Sequence, residues 1–203
     1  KSALFEPLFV VSMQNSEEAK KTVNRFKLDA KKKPGSKNWR LGESRNLADW
    51  EESILAAANP PEKGDTPADT ILNALKPFEA DLTELAEAMA RPGCRFDIRY
   101  EDVFMALMPH LALLRDASQL YSLRASARLA KGDTDGAMSD VLFGIRTSEL
   151  FADEPMLISQ LVRVAILEMN LVPFCDGLHW QQWNDNQLAE FQKTIESIDL
   201  LEG

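Results

Sequence analysis

The chain has 203 residues, 45% of them hydrophobic and 27% charged, with a formal net charge of −9. That length suits one domain with its own core, and the composition is globular rather than disordered. No run of eighteen apolar residues is free of charge, which argues against a membrane span, and the acidic balance argues against nucleic acid, which demands a basic face.

The charge is unevenly spread. Residues 1–46 hold eleven Lys/Arg against five Asp/Glu, a balance of +6, while residues 47–203 hold twelve against twenty-seven, a balance of −15. The expected division is a basic, partly ordered N-terminal arm over 1–46 and an acidic α-helical domain over 47–203. In the arm, "ALFEPLFVVS" (3–12) is apolar and reads as a short strand or a docked extended segment. "SEEAKKTVNRFKLDAKKK" (16–33) has a Ser cap, early Glu and late Lys, which suit a helix and its dipole; Pro34-Gly35-Ser36 then breaks it. The run "KKKPGSK" (31–37) has three readings: a solvated segment, a segment lying on the acidic body, or a contact with anionic lipid or another acidic partner. No signal-peptide pattern opens the sequence. It begins at Lys1, so a removed leader or membrane anchor, or an expression boundary, is expected there.

The body reads as helix after helix. Leu47, Trp50, Ile54 and Leu55 fall at helical spacing over 46–58, with Asn46 or Asp49 as cap. "NPPEKGDTP" (59–67) is a loop. The stripe Ile71, Leu72, Leu75, Phe78, Leu82, Leu85 and Met89 predicts a helix that Pro77 kinks or restarts. "RPGCRFDIRY" ends it, and Arg95–Tyr100 reads as extended. Four helices then follow, over about 101–131, 134–152, 155–174 and 185–201. Pro155 sits at the first turn of the third, and Asn184 or Asp185 caps the fourth. The third, "PMLISQLVRVAILEMNLVPF", is apolar nearly all round, which predicts burial in the middle of a bundle. Its Arg163, Glu168 and Asn170 then need partners or a wet edge. "DGLHWQQWND" reads as a loop. The fold class is all-α, a helical bundle or hairpin array.

"SARLAKGDTDGAMSDVLFGIRTSEL" (126–150) carries the most information. As a calcium loop with Gly136 at its sixth position it fails at both ends, since Lys131 and Leu142 stand where carboxylates are required. As a helical hairpin it passes: Gly132 ends one helix in the left-handed conformation, and Asp133 or Thr134 caps the next. A tetratricopeptide unit started at Ser118 puts small residues, Ala125, Ala137 and Gly144, where its two helices must touch. Arg124 and Arg128 depart from that pattern, and no second copy follows at the 34-residue period. The stretch resembles one degenerate tetratricopeptide-like unit, near 118–151.

"MPHLALLRDASQLYSLRASARLAKGDTDGAMSDVLFGIRTSELFADEPMLISQLVRVAI" (108–166), with "RPGCRF" before it and "WNDNQLAEFQ" after it, resembles an uncharacterised family of membrane-anchored bacterial α-helical proteins. The resemblance covers about 67–203 and leaves out the basic arm. It implies an N-terminal anchor and a body on the extracytoplasmic, periplasmic side, and it implies no chemistry.

No constellation of catalytic residues stands out, and no cofactor or metal is expected. His110 and His179 are the only histidines; they read as structural, with a general base or ligand as the alternative. No HExxH, G-x-S-x-G, P-loop or dinucleotide pattern occurs. Cys94 and Cys175 belong to no CxxC pair and read as free thiols or one disulfide. The acids Asp133, Asp135, Asp140, Asp153 and Glu154 read as capping or solvated, with a hydrolase carboxylate pair as the alternative. Phe174, Trp180, Trp183 and Phe191 read as packing, or as the wall of a groove. Arg115, Arg124, Arg128 and Arg163 fall beside apolar helix faces and read as partners of Asp116, Asp140 or Glu154. The other reading makes Arg124 and Arg128 a grip for a ligand carboxylate. The function expected is a non-catalytic helical scaffold or protein- or peptide-binding domain, with Gln119, Ser122 and Ser126 lining its groove. A hydrolase and a self-associating structural module are the alternatives.

Overall fold

The structure is a computed structural model, described over residues 24–31, 34, 44–90, 109–150 and 152–199. The expectations for 3–12, Arg95–Tyr100, 101–108 and Cys94 lie outside those residues. Helices are the only regular elements among the described residues, and the class is all-α.

Local chemistry sets the helix starts. Helix α1 runs Leu47–Leu55, and the Asn46 side chain accepts from the Ala48 N–H. Helix α2 runs Pro67–Leu75 behind a capping box, in which Thr66 and Asp69 satisfy each other's backbone N–H groups. Pro77 lies in one 3₁₀ turn, Lys76–Phe78, after which the chain restarts as α3, Glu79–Met89. Helix α4 runs Pro109–Ala130 and α5 runs Thr134–Glu149. Between them Gly132 has φ 77°. The Asp133 N–H donates to Arg128 O and the Gly132 N–H to Leu129 O, which is a Schellman close. The Asp133 carboxylate then caps α5 at the Gly136 N–H. Helix α6 runs Leu157–His179, and α7 runs Asp185–Glu196 behind an Asn184–Gln187 capping box.

The hairpin α4–α5 and helix α6 pack on one another and form the centre. Helix α2 lies on α4 and α1 on α2; α7 and α3 both touch α5. One core cluster joins Trp50, Ile54, Ile71, Leu85, Tyr121 and Ile166 across α1 to α4 and α6. A second joins Ala125, Ala137, Val141, Ile145, Phe174 and Trp183 at the closed end of the hairpin. Fully buried side chains such as Ile54, Ile71 and Leu85 contribute about 1.5–3 kcal/mol each by leaving water.

Four expectations change. Residues 24–31 are a turn followed by extended chain, not helix. Phe26 and Leu28 point into the core while Lys27, Asp29 and Lys31 stay in water. That alternation has the period of an extended segment, and the Lys31 N–H is held by Ser53 O. Secondly, α5 stops at Glu149 and α6 starts at Leu157, with Pro155 exposed two residues earlier. Thirdly, α6 continues to His179 through the "DGLH" read as a loop. It passes Pro173 because the carbonyl that proline leaves without a donor, Met169 O, accepts from Ser122 Oγ of α4 at 2.7 Å. It passes Gly177 because a Cβ there would strike the Trp183 indole.

The fourth correction concerns how α6 is buried. Its length and hydropathy (1.4 over eighteen residues) would let it cross a membrane by composition alone. It packs on both helices of the hairpin, but its inner side mixes polar with apolar side chains and its outer side stays open. Ser159, Arg163, Ile166, Asn170, Pro173 and Gly177 face inward, and Leu157, Ile158, Leu161 and Val164 face water.

Candidate functional site

The residues singled out at the hairpin are brought together, but on its inside. Arg124 donates through Nε and Nη2 to the Asp140 carboxylate at 2.7–3.1 Å, and Arg128 Nη1 donates to the same group at 2.9 Å. Asp140 is 1% exposed. Burial pushes its carboxyl above the ordinary range, against the pull of the two guanidiniums. Burial opposes charge on Arg124 more than any single contact favours it, but the hydrogen bonds and negative charge of Asp140, with smaller contributions from Tyr121 and Glu79, together outweigh it and hold that guanidinium above its usual value. Arg128 also reaches Gly136 O and lies near Asp133. These arginines tie α4 to α5. Their forked donors are turned to Asp140 rather than outward to a ligand carboxylate.

Ser122 and Ser126 are buried as well, and Gln119 is half-buried with contacts of its own. The group in front of the two serines is Arg45, from the chain just ahead of α1. Its Nη1 donates to Ser122 O at 2.6 Å and Ser126 Oγ at 3.1 Å, and its Nη2 to Ser122 Oγ at 2.9 Å. Its backbone N–H donates to the Asp176 carboxylate of α6. Burial lowers the Arg45 guanidinium to about 10, in spite of Asp176. Burial likewise raises Asp176. A cavity of about 250 Å³ opens beside this arginine, lined by Ser44, Ser126, Asp176, Trp180 and Gln182 among others. The groove expected of the hairpin is therefore filled from within the chain. Sequence reasoning missed Arg45, which sits in the stretch with the weakest local pattern.

His110 lies in a second buried group. Its Nε2 is 2.9 Å from Glu154 Oε1, and Ser159 Oγ donates to Glu154 Oε2. Serine, acid and histidine meet here in an order that activates nothing. The hydroxyl proton is aimed at the carboxylate, whereas a nucleophile needs it aimed at the imidazole. The group closes the turn between α5 and α6 onto the start of α4. His179, expected in a loop, instead ends α6, exposed and edge-on to Trp180. Trp183 is buried and donates to Phe174 O, with Phe174 and Phe191 stacked beside it. Trp180 stands 63% exposed. Cys175 is a half-buried free thiol that burial pushes up, which makes it a poor nucleophile. Among the described residues no His/Cys/Asp/Glu group is arranged to hold a metal ion.

Two further polar side chains of α6 are turned inward. Arg163, 2% exposed, holds Glu149 through Nε and Nη2 and reaches Asp199 O. Asn170 donates to Ser118 Oγ and Ile166 O.

The outer face of α6 exposes large apolar side chains. Leu157, Ile158, Leu161 and Val164 are 74%, 45%, 57% and 49% exposed. Leu157, Leu161 and Val164 follow a 4–3 spacing, so they form one ridge on the outer face of α6, with Ile158 beside it. Ala165 and Glu168 continue that face in the open.

In comparisons with family models, curated proteins and solved structures, nothing matches the chain.

Proposed function

We propose that the chain is a non-catalytic helical assembly domain that docks another protein surface on the outer face of α6. The observation that carries this reading is the exposed ridge Leu157–Leu161–Val164 on a helix whose Ser159, Arg163 and Asn170 are turned inward. A partner that covers the ridge returns about 25 cal/mol for each Å² of apolar area removed from water. Binding thus moves from the hairpin groove, where Ser122 and Ser126 already hold Arg45, to the helix behind it. The partner expected is a protein or peptide presenting an apolar face. The setting that goes with this reading is the one the family resemblance implies, an extracytoplasmic body with an N-terminal membrane anchor.

The test is affinity capture from an extract of the source cells, with the wild-type chain and a Leu157→Asp/Leu161→Asp variant as parallel baits. A defined protein retained by the first and lost by the second is the expected outcome. Identical retention by both baits, with helicity matched by circular dichroism, would remove the ridge as the binding surface.

A further inference from the structure

The ridge on α6 has an internal symmetry that says what fits it. Its members 157, 161, 164 and 168 are spaced four, three and four residues apart. That spacing reads the same in both directions about a point midway between 162 and 163. Two copies of α6 laid antiparallel about a two-fold axis through that point would bring Leu161 against the other copy's Val164. The same register brings Leu157 against the other copy's Glu168. An isologous pair needs a self-complementary patch of this kind, and the 4–3 spacing is that of helices packed side by side.

Charge selects the same arrangement. Glu168 is the charged member of the ridge, and it is exposed. In the antiparallel register its carboxylate arrives at the start of the other α6. That helix end has no side-chain cap: Met156 stands at the cap position and offers no hydrogen bond. The first N–H groups of a helix and the positive end of its dipole attract a carboxylate. Of the two acids just ahead of that end, Glu154 is turned inward to His110 and Ser159, so Asp153 alone opposes the approach. A parallel pairing would instead stack Glu168 on Glu168 and leave both helix starts uncapped.

Resting on the proposed docking role of this face, we infer that its partner is a second copy of the chain, joined through α6 in an antiparallel two-fold pair. Three helical turns on each side make a contact smaller than a standard stable interface. The dimer is therefore reversible and weak, in the micromolar range or above, and forms where local concentration is high.

Sedimentation equilibrium of the wild-type chain should show a concentration-dependent monomer–dimer equilibrium. Leu161→Asp should stay monomeric with an unchanged circular dichroism spectrum. A second measurement fixes the register, in chains whose Cys94 and Cys175 are replaced by Ser. An equimolar mixture of Leu157→Cys and Glu168→Cys chains should form a disulfide dimer under mild oxidation, and neither alone should. Like residues in the antiparallel pair lie about 16 Å apart along the axis, eleven residues at 1.5 Å each, whereas unlike ones face each other. Cross-linking of either variant with itself, without the mixed product, would overturn the antiparallel register. A wild type that remains monomeric to roughly 1 mM, the weak end of specific association, would overturn the dimer. If such a monomer still captures a different protein, or binds vesicles, in a Leu161-dependent way, the second copy is excluded while the ridge remains a docking face. If neither self-association nor capture depends on Leu161, both readings fall together.

Discussion

Asp140 shows how much of this molecule hangs on single polar groups. Two guanidiniums end on one buried carboxylate, so removing it strands Arg124, which is itself 8% exposed. Asp140→Ala should cost about 3–5 kcal/mol, the usual penalty for leaving one half of a buried pair. Urea unfolding followed by circular dichroism would measure it. A loss under 1 kcal/mol would mean that the arginines find water instead. Asp69 is a different case, half-buried and acting at a helix start. The Thr66 hydroxyl and then Lys131 hold its carboxyl below its ordinary value of 3.8. A depressed carboxyl stabilises the fold fully above its unfolded value, and that stabilisation is lost as pH falls through the folded one. The wild type should therefore be more stable than Asp69→Asn at neutral pH, and the gap should close below about pH 3.8. Thermal melts across that range check the sign. A gap that widens in acid would contradict the assignment.

At the scale of elements, caps were the most legible signal. Asn46, Asp133 and Asn184 start the helices expected of them, and Gly132 ends α4 in the left-handed conformation. Each acts through neighbours in sequence, so a linear reading reaches it. The extended course of 24–31 was also written locally, in the alternation Phe26, Leu28, Ala30, but the Ser cap and late lysines of the wider stretch pointed to helix. The end of α6 was not legible. Whether a helix survives Pro173 depends on a hydroxyl supplied from α4, and no local pattern records that. Gly144 of α5 belongs with these long-range dependences. A Cβ there would run into the Asn170 side chain of α6, which is fully buried and already bonded to Ser118 and Ile166. Gly144→Ala should thus destabilise by about 1–3 kcal/mol as overpacking, although alanine ordinarily favours a helix. A neutral or stabilising result in the same urea assay would show that α6 yields at Asn170.

For the whole molecule, hydropathy correctly gave an all-helical body but inverted its central helix. A chain that is apolar nearly all round gives no periodic signal for which side faces in. In α6 the inner side was decided by where Arg163, Asn170 and Ser159 find partners, and those partners lie on α4, on α5 and around the turns. The candidate site followed the same logic. Arg124 and Arg128 meet at Asp140 of α5, while Ser122 and Ser126 face Arg45 on another side of α4, so the residues fasten helices in two groups rather than line one open groove. Arg45, which fills the space in front of them, comes from the arm that composition set apart from the body. The docking ridge became visible only once the opposite side of α6 was accounted for.

The hydroxyl that Ser122 lends to Met169 makes the continuity of one helix depend on another. A helix ordinarily completes its own ladder as it grows, rung by rung. Helix α6 cannot do so at Pro173, because the missing rung is supplied by a neighbour. Excised as a peptide it would be two short coils of helix with a loose joint between them. In the folded chain α4 bridges that joint. The hairpin therefore braces α6, and the continuity of that long helix past Pro173 rests on a contact made only in the folded protein.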